Sequence, residues 1–189
     1  MRITDDYIFF WKENPFCNFT KCKIKWFDEV SGEEIYFSSS EQMFMWFKAK
    51  FFLDDETADK ILATTDPEEA RKLGRLVKNY VHSAWDRERT YFMMKAVSAK
   101  FLQNKNLRKK LIDPKYDGKA FVEASPYDRV WGIGCDQDSA LKLDNYKNWG
   151  RNELGKILDV VRIKCIEIEK LIETLDLEEK KCLNVKNIY

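Results

Sequence analysis

Histidine is almost missing from this chain: His82 is the only one in 189 residues. The five cysteines, Cys17, Cys22, Cys135, Cys165 and Cys182, are odd in number, scattered, and contain no C-x-x-C pair. Those spacings speak against a structural zinc site or a disulfide framework, while a divalent ion on carboxylates stays open; no metal ligand is singled out and no cofactor is expected. One histidine also leaves no Ser/His/Asp or Cys/His constellation to assemble, and His82 reads as a surface or capping residue. Charge of one sign is equally lacking, with 33 basic against 32 acidic residues. No global field therefore draws the protein to nucleic acid or to an anionic membrane, and a nucleotide ligand must be held by a local site. No uninterrupted apolar run approaches the ~20 residues of a membrane-spanning helix. The opening MRITDDYIFFWKEN places acids ahead of a very short apolar run, unlike a targeting peptide. The expectation is a soluble, cytoplasmic protein without a membrane partner, folded as one domain over residues 1–189, with no internal repeat, low-complexity tract or linker.

What the chain does have is aromatic residues, 13 Phe, 8 Tyr and 6 Trp, enough to build a core around several elements. The start is β-rich. YIFFW at 7–11 is one strand candidate, and Cys22, Ile24 and Trp26 alternate with Lys21, Lys23 and Lys25 as in a half-buried strand. Ser31-Gly32 then signals a turn into a second strand at Glu34 to Phe37, which predicts a hairpin. Ser38-x-x-Glu41 has capping-box spacing and predicts a helix from about 39 to Leu53. Asp66-Pro67-Glu68-Glu69 predicts another, reaching about Lys78. A longer helix is expected from Trp85 to Gln103, continuing after Asn104 to Leu111 and ended by Asp113-Pro114. Residues 119–124 form a further strand candidate. In the last helix Leu154, Val161, Ile168 and Leu175, flanked by Leu158, Cys165 and Ile172, draw one apolar stripe, expected to pack on its own domain. The fold class is mainly α within α+β, a compact helical domain with a small N-terminal hairpin or sheet.

Three stretches hold candidate functional residues. At ~100° per residue, Glu41, Met45, Lys48 and Phe52 share a line of the first helix, beside a stripe of Phe44, Phe47 and Phe51. Glu41 and Lys48 thus border the buried face two turns apart, ~10 Å of rise, a spacing suited to gripping opposite sides of a small ligand. Edge charges with snorkelling stems are the structural alternative. The loop Asp128-Arg129-Val130-Trp131-Gly132-Ile133-Gly134 offers a carboxylate, a flat indole and two glycines that allow close backbone approach, or else a tight turn around a buried tryptophan. Arg151 and Asn152 sit at the start of the last helix, where free N–H groups can bind phosphate or be capped, and Arg75 follows Gly74 late in the Asp66 helix.

In order along the chain, Pro15-Phe16-Cys17-Asn18-Phe19, Ser40-Glu41-Gln42 with Lys48-Ala49, Leu73-Gly74-Arg75, Trp85, Lys100-Phe101, Asp128 with Trp131-Gly132-Ile133-Gly134, and Asn152 with Leu154-Gly155 resemble the NADAR/YbiA-like N-glycosidases. The resemblance runs over roughly residues 9–160 and leaves a C-terminal helical extension at 162–189 uncovered. It implies cleavage of the bond between ribose and a base, with phosphorylated intermediates of riboflavin synthesis or ADP-ribose attached to guanine, free or in nucleic acid, as substrate classes. Cys17 stands where the family often has serine.

Cleaving that bond builds positive charge on C1 and the ring oxygen, which a nearby carboxylate stabilises while another group helps the base depart. Glu41 and Asp128 are the acid candidates, Glu41 facing the ribose. Trp85 and Trp131 are candidate stacking walls, and Asn18, Arg75, Arg151 and Asn152, with the Gly132 and Gly134 backbone, are candidate phosphate and ribose contacts. Lys48 opens a second scheme, attack of a neutral amine on an opened sugar aldehyde to give a Schiff base. The alternatives in other classes are a non-catalytic ADP-ribose or nucleotide sensor and an interaction protein that docks through its last helix.

Overall fold

A computed structural model describes residues 1–142 and 145–186 of the chain. The first strands are β1 (Arg2–Ile3), β2 (Tyr7–Phe10), β3 (Ile24–Asp28) and β4 (Glu33–Phe37). Helices α1 (Ser40–Phe51), α2 (Asp55–Ala63), α3 (Pro67–Arg75), α4 (His82–Gln103) and α5 (Lys105–Leu111) follow. Strand β5 (Ala120–Glu123), the short α6 (Gln137–Ala140) and the long α7 (Glu153–Lys186) complete the order. The expected α+β class holds, with helices dominating two small sheets.

The predicted hairpin is β3–β4, antiparallel with Trp26 opposite Ile35 and its turn at Gly32, whose φ of 75° suits glycine. The expected strand at 119–124 is β5, which pairs parallel with β2, while β1 flanks β2 on its other side. Parallel strands need a long crossover. Here it is the whole succession from β3 to α5, so sequence neighbours could not reveal the pairing. Phe10 and Glu123 are register partners, so both strands deliver their following loops to the same end of the sheet.

The cap of α1 differs from expectation by one residue. Ser39, not Ser38, accepts from the Gln42 amide at 3.1 Å. Gln42 instead accepts from the Ser38 amide at 2.7 Å and donates to the Ile61 and Thr64 carbonyls at 2.9 and 2.6 Å. Its buried carboxamide thus ties α1 to the end of α2, a network that satisfies the polar group it buries.

Helix α2 has no counterpart in the sequence reading. The break before it is Leu53, left-handed at φ 55°, with no Gly or Pro to mark it. Asp54 caps α2 through the Thr57 amide and accepts from the Lys78 amide at 2.8 Å, which holds the chain leaving α3 and ends that helix at Arg75 rather than Lys78. The start of α4 lies at His82, three residues before the predicted one.

The core is aromatic, with Phe10, Phe16, Tyr116 and Phe121 meeting edge to face under the sheet. Helix α1 runs through the middle of the body, against α2, α3 and α4. Helix α7 packs on α4 and β5. Its stripe is buried at Leu154, Leu158, Val161 and Cys165, but Leu175 is 63% exposed, so the expected packing holds only for the first turns. The Cys182 side chain lies outside the described residues.

Candidate active site

The parallel ends of β2 and β5 open onto a cleft of about 560 Å³, the usual scale for a small-molecule site. One wall is the loop after β2, from Trp11 to Phe19. Opposite lie α1 and the last turns of α3, and the loop from Ser125 to Trp131 closes the third side.

Several acids line this cleft. Glu41, in the first turn of α1, is 6% exposed, with its amide bonded to the Asn18 carbonyl at 3.1 Å. A helix start favours a carboxylate, yet burial wins here. It raises the Glu41 carboxyl from 4.5 to about 8, opposed by Arg71 and Arg75 and reinforced by Glu68 and Asp128. Glu123 ends β5 in the same cleft, and one of its carboxyl oxygens is buried with no hydrogen-bond partner. Burial first, then the charges of Asp128 and Glu41, lift it to about 8 as well. Asp128 turns one oxygen back to accept from the Val130 and Trp131 amides at 2.7 and 2.8 Å, which fixes the loop carrying the indole.

Cations line the same cleft. Lys48, two turns beyond Glu41, donates to the Gly74 carbonyl at 2.7 Å and lies 4.4 Å from the Tyr80 ring centre. Burial, then Arg75, pull its pKa down. Arg71 and Arg75 stand one turn apart on α3 and both line the cleft. Arg71 pairs with Glu68 at 2.6 Å, lies 5.8 Å over the Phe19 ring, and keeps a buried Nε without a hydrogen-bond partner.

Of the residues singled out from sequence, Asn18, Glu41, Lys48, Arg75, Trp85, Asp128 and Trp131 line this cleft. Asn18 also has a framing task, accepting from the Ser40 hydroxyl at 3.1 Å. Trp85 is 6% exposed and stacked on Phe92 at 5.6 Å, so one indole face is already covered. Trp131 is half-buried, with the Phe44 ring edge-on at 5.3 Å.

Gly132, Gly134, Arg151 and Asn152 do not line the cleft. The close approach at Gly132 is to the protein itself: a Cβ there would stand 2.6 Å from the Glu123 carbonyl oxygen. Gly134, with φ of 76°, lies against the Arg129 side chain. Asn152 accepts from the Glu123 amide at 3.0 Å and donates to the Phe121 carbonyl at 2.9 Å, bracing β5 from behind, while Arg151 is exposed.

Sequence reasoning passed over Glu123, Arg71, Glu68, Trp11 and Tyr127, all cleft residues. Alternation along β5 puts Glu123 on the same face as buried Phe121, an acid on a core face and a readable signal. Likewise Arg71 precedes Arg75 by four residues, on one side of α3. Lys100, named in the resemblance, is fully buried and donates to the Cys17 carbonyl at 2.7 Å, so it props the loop rather than entering the cleft.

Comparison with known proteins agrees with this architecture. The NADAR domain matches residues 9–165. N-glycosidase R617 of Acanthamoeba polyphaga mimivirus is 33% identical over 165 residues, which cover 84% of this chain and 96% of that protein. Riboflavin biosynthesis protein VVA0006 of Vibrio vulnificus is 32% identical over 145 residues, 77% of this chain and 34% of that protein. The NMR structure of the E. coli protein YbiA matches with a TM-score of 0.66 at 28% identity, over 90% of each chain.

Proposed function

This chain belongs to the NADAR family, a hydrolase acting on N-glycosyl bonds, and we propose that its cleft cleaves the bond between a phosphorylated ribose and a base. The observation that carries this reading is the pair of buried carboxyls, Glu41 and Glu123, each lifted to about 8 within one ligand-sized cleft. Near neutrality such a site retains a proton that it can give to a departing base, and Asp128 adds a further carboxyl group beside it. Glu41 faces the ribose. Glu123, with its unpartnered oxygen, donates to the base nitrogen as the C1–N bond breaks and its electron pair leaves with the base. Water then adds to C1, and its proton returns to the ionised carboxylate, restoring the pair. Arg71 and Arg75 hold the phosphate, and the unpartnered Nε of Arg71 offers a charge-assisted bond. Trp131 and the cleft-facing edge of Trp85 confine the sugar and base.

The depressed pKa of Lys48 favours one rival for the second half of this scheme. Its neutral amine attacks C1 of the opened sugar, expels the base and forms an imine that water later hydrolyses. Both routes need the same acid to release the base.

The substrate is either ADP-ribose joined to guanine or a phosphorylated intermediate of riboflavin synthesis, the second in keeping with the name of the Vibrio relative. Base release from a pyrimidine ribosylamine phosphate and from ADP-ribosyl guanosine, followed chromatographically, tests this directly. Turnover of one by the wild-type chain and not by Glu123→Gln is expected. Tight binding of both with no release would instead make the protein a nucleotide sensor.

A further inference from the structure

The alternation of β5 runs on past the last residue of the strand. Val122 and Ala124 belong to the small core cluster with Phe9, whereas Glu123 and Ser125 both line the cleft. The Ala124 amide still donates to the Phe10 carbonyl at 2.9 Å, so the chain stays extended up to Ser125. Ser125 is 6% exposed, and Gly132 crowds it from outside the cleft: a Cβ at that glycine would stand 3.1 Å from the Ser125 Cβ. Position and surroundings are thus fixed, but the hydroxyl itself makes no hydrogen bond among the described residues. Its polar neighbours differ. Asn18 is engaged by Ser40 and Met93, and Asp128 by the Val130 and Trp131 amides. The other hydroxyl in the lining, that of Tyr127, belongs to a residue 88% exposed. A buried hydroxyl in a cleft wall, without a protein partner, is satisfied by water or by what the cleft binds.

We propose that the Ser125 hydroxyl hydrogen-bonds the 2′-hydroxyl of the bound ribose and makes the cleft selective for ribosides over 2′-deoxyribosides. This contact rests on Glu123 acting at the base nitrogen, as proposed above. Two residues of extended chain set the Glu123 and Ser125 Cα atoms ~7 Å apart on one face. The glutamate is two bonds longer, so it reaches the C1–N bond while the shorter serine meets the hydroxyl on C2, the one nearest that bond. A hydroxyl suits this partner because it can donate and accept at once. A hydrogen bond to the 2′-hydroxyl also strengthens as positive charge builds on C1, so the selectivity extends from binding to turnover.

Titration with cytidine 5′-monophosphate and with its 2′-deoxy counterpart, followed by tryptophan fluorescence, tests the contact, since Trp131 lines the cleft. The wild type is expected to bind the ribonucleotide ~5-fold or more tightly than the deoxynucleotide. Ser125→Ala should bring the two within ~2-fold by weakening the ribonucleotide alone. The variant removes no hydrogen bond within the described protein, so its melting temperature should match wild type, and unchanged affinity for the deoxynucleotide shows an intact cleft. On a riboside that the wild type cleaves, Ser125→Ala is expected to lose ~10-fold or more in kcat/KM. Equal wild-type affinity for the two nucleotides, or a preference that survives in Ser125→Ala, overturns the contact and leaves the proposed function standing. A preference that depends on Ser125, with no base released from any riboside, sinks only the proposed function. Binding of neither nucleotide overturns both.

Discussion

The charge of Glu41 opposes ionisation of Glu123, although one residue opens a helix and the other closes a strand. In the fold Glu41 titrates near 8 against an ordinary value of 4.5, so between those limits the folded chain keeps a proton that the unfolded chain has released. Stability carried by that protonated carboxyl is complete below about pH 4.5 and lost as pH rises through 8. Glu41→Gln cannot ionise. It is expected to melt higher than wild type by a margin that widens from pH 5 to pH 8, at about 2–4 °C per kcal/mol, while losing ~10²-fold or more in turnover. A variant with wild-type rate would remove Glu41 from the mechanism.

Glu123→Gln separates acid help from binding. The wild-type rate is expected to fall above about pH 8 as the carboxyl pair loses its proton. The variant should lose turnover ~10²- to 10⁴-fold on bases that need protonation, with a much smaller loss on nicotinamide riboside, whose base leaves already neutral. Equal losses on both substrates would show that Glu123 serves the framework only.

Lys48→Met divides the two routes through its kinetic split. Loss confined to kcat, together with a ribosyl adduct on wild-type Lys48 after borohydride treatment during turnover, assigns the amine as nucleophile. A raised KM with no adduct leaves water as the attacking group and Lys48 as an anchor beside Gly74.

For Arg71→Ala the expected change is a KM raised ~10-fold or more for a phosphorylated substrate, with little effect on its dephosphorylated counterpart. The pairing with Glu68 is partly exposed, so melting temperature should move little.

Asn152→Ala tests a framework role. It strips partners from the Glu123 amide and the Phe121 carbonyl, and a loss of about 2–4 kcal/mol in stability is expected by chemical denaturation. KM should be unchanged in the fraction that remains folded. A selective KM defect in a stable protein would return Asn152 to the ligand.

The helices most readable in advance were those with clear chemistry at one end, such as α3, started by Asp66-Pro67, and α5, stopped ahead of Asp113-Pro114. The α1–α2 break was hidden because Leu53 adopts a left-handed backbone that no glycine announces. Glu41, Lys48 and Asp128 were legible as charges set among aromatics. The glycines of the Trp131 loop and Asn152 were misplaced for one reason: tight backbone approach looks the same in sequence whether the partner is a ligand or the protein's own strand.

By itself the sequence determined most of the helical segments, though not α2, together with the mainly α class, the family resemblance and the acid and base on one line of α1, because these follow from local periodicity, caps and side-chain type. Only the tertiary structure decided that β2 and β5 run parallel and end together, and that Glu123 joins Glu41 and Asp128. Those relations depend on burial and long-range pairing, and a carboxyl's proton affinity is set by what surrounds it rather than by its place in the chain.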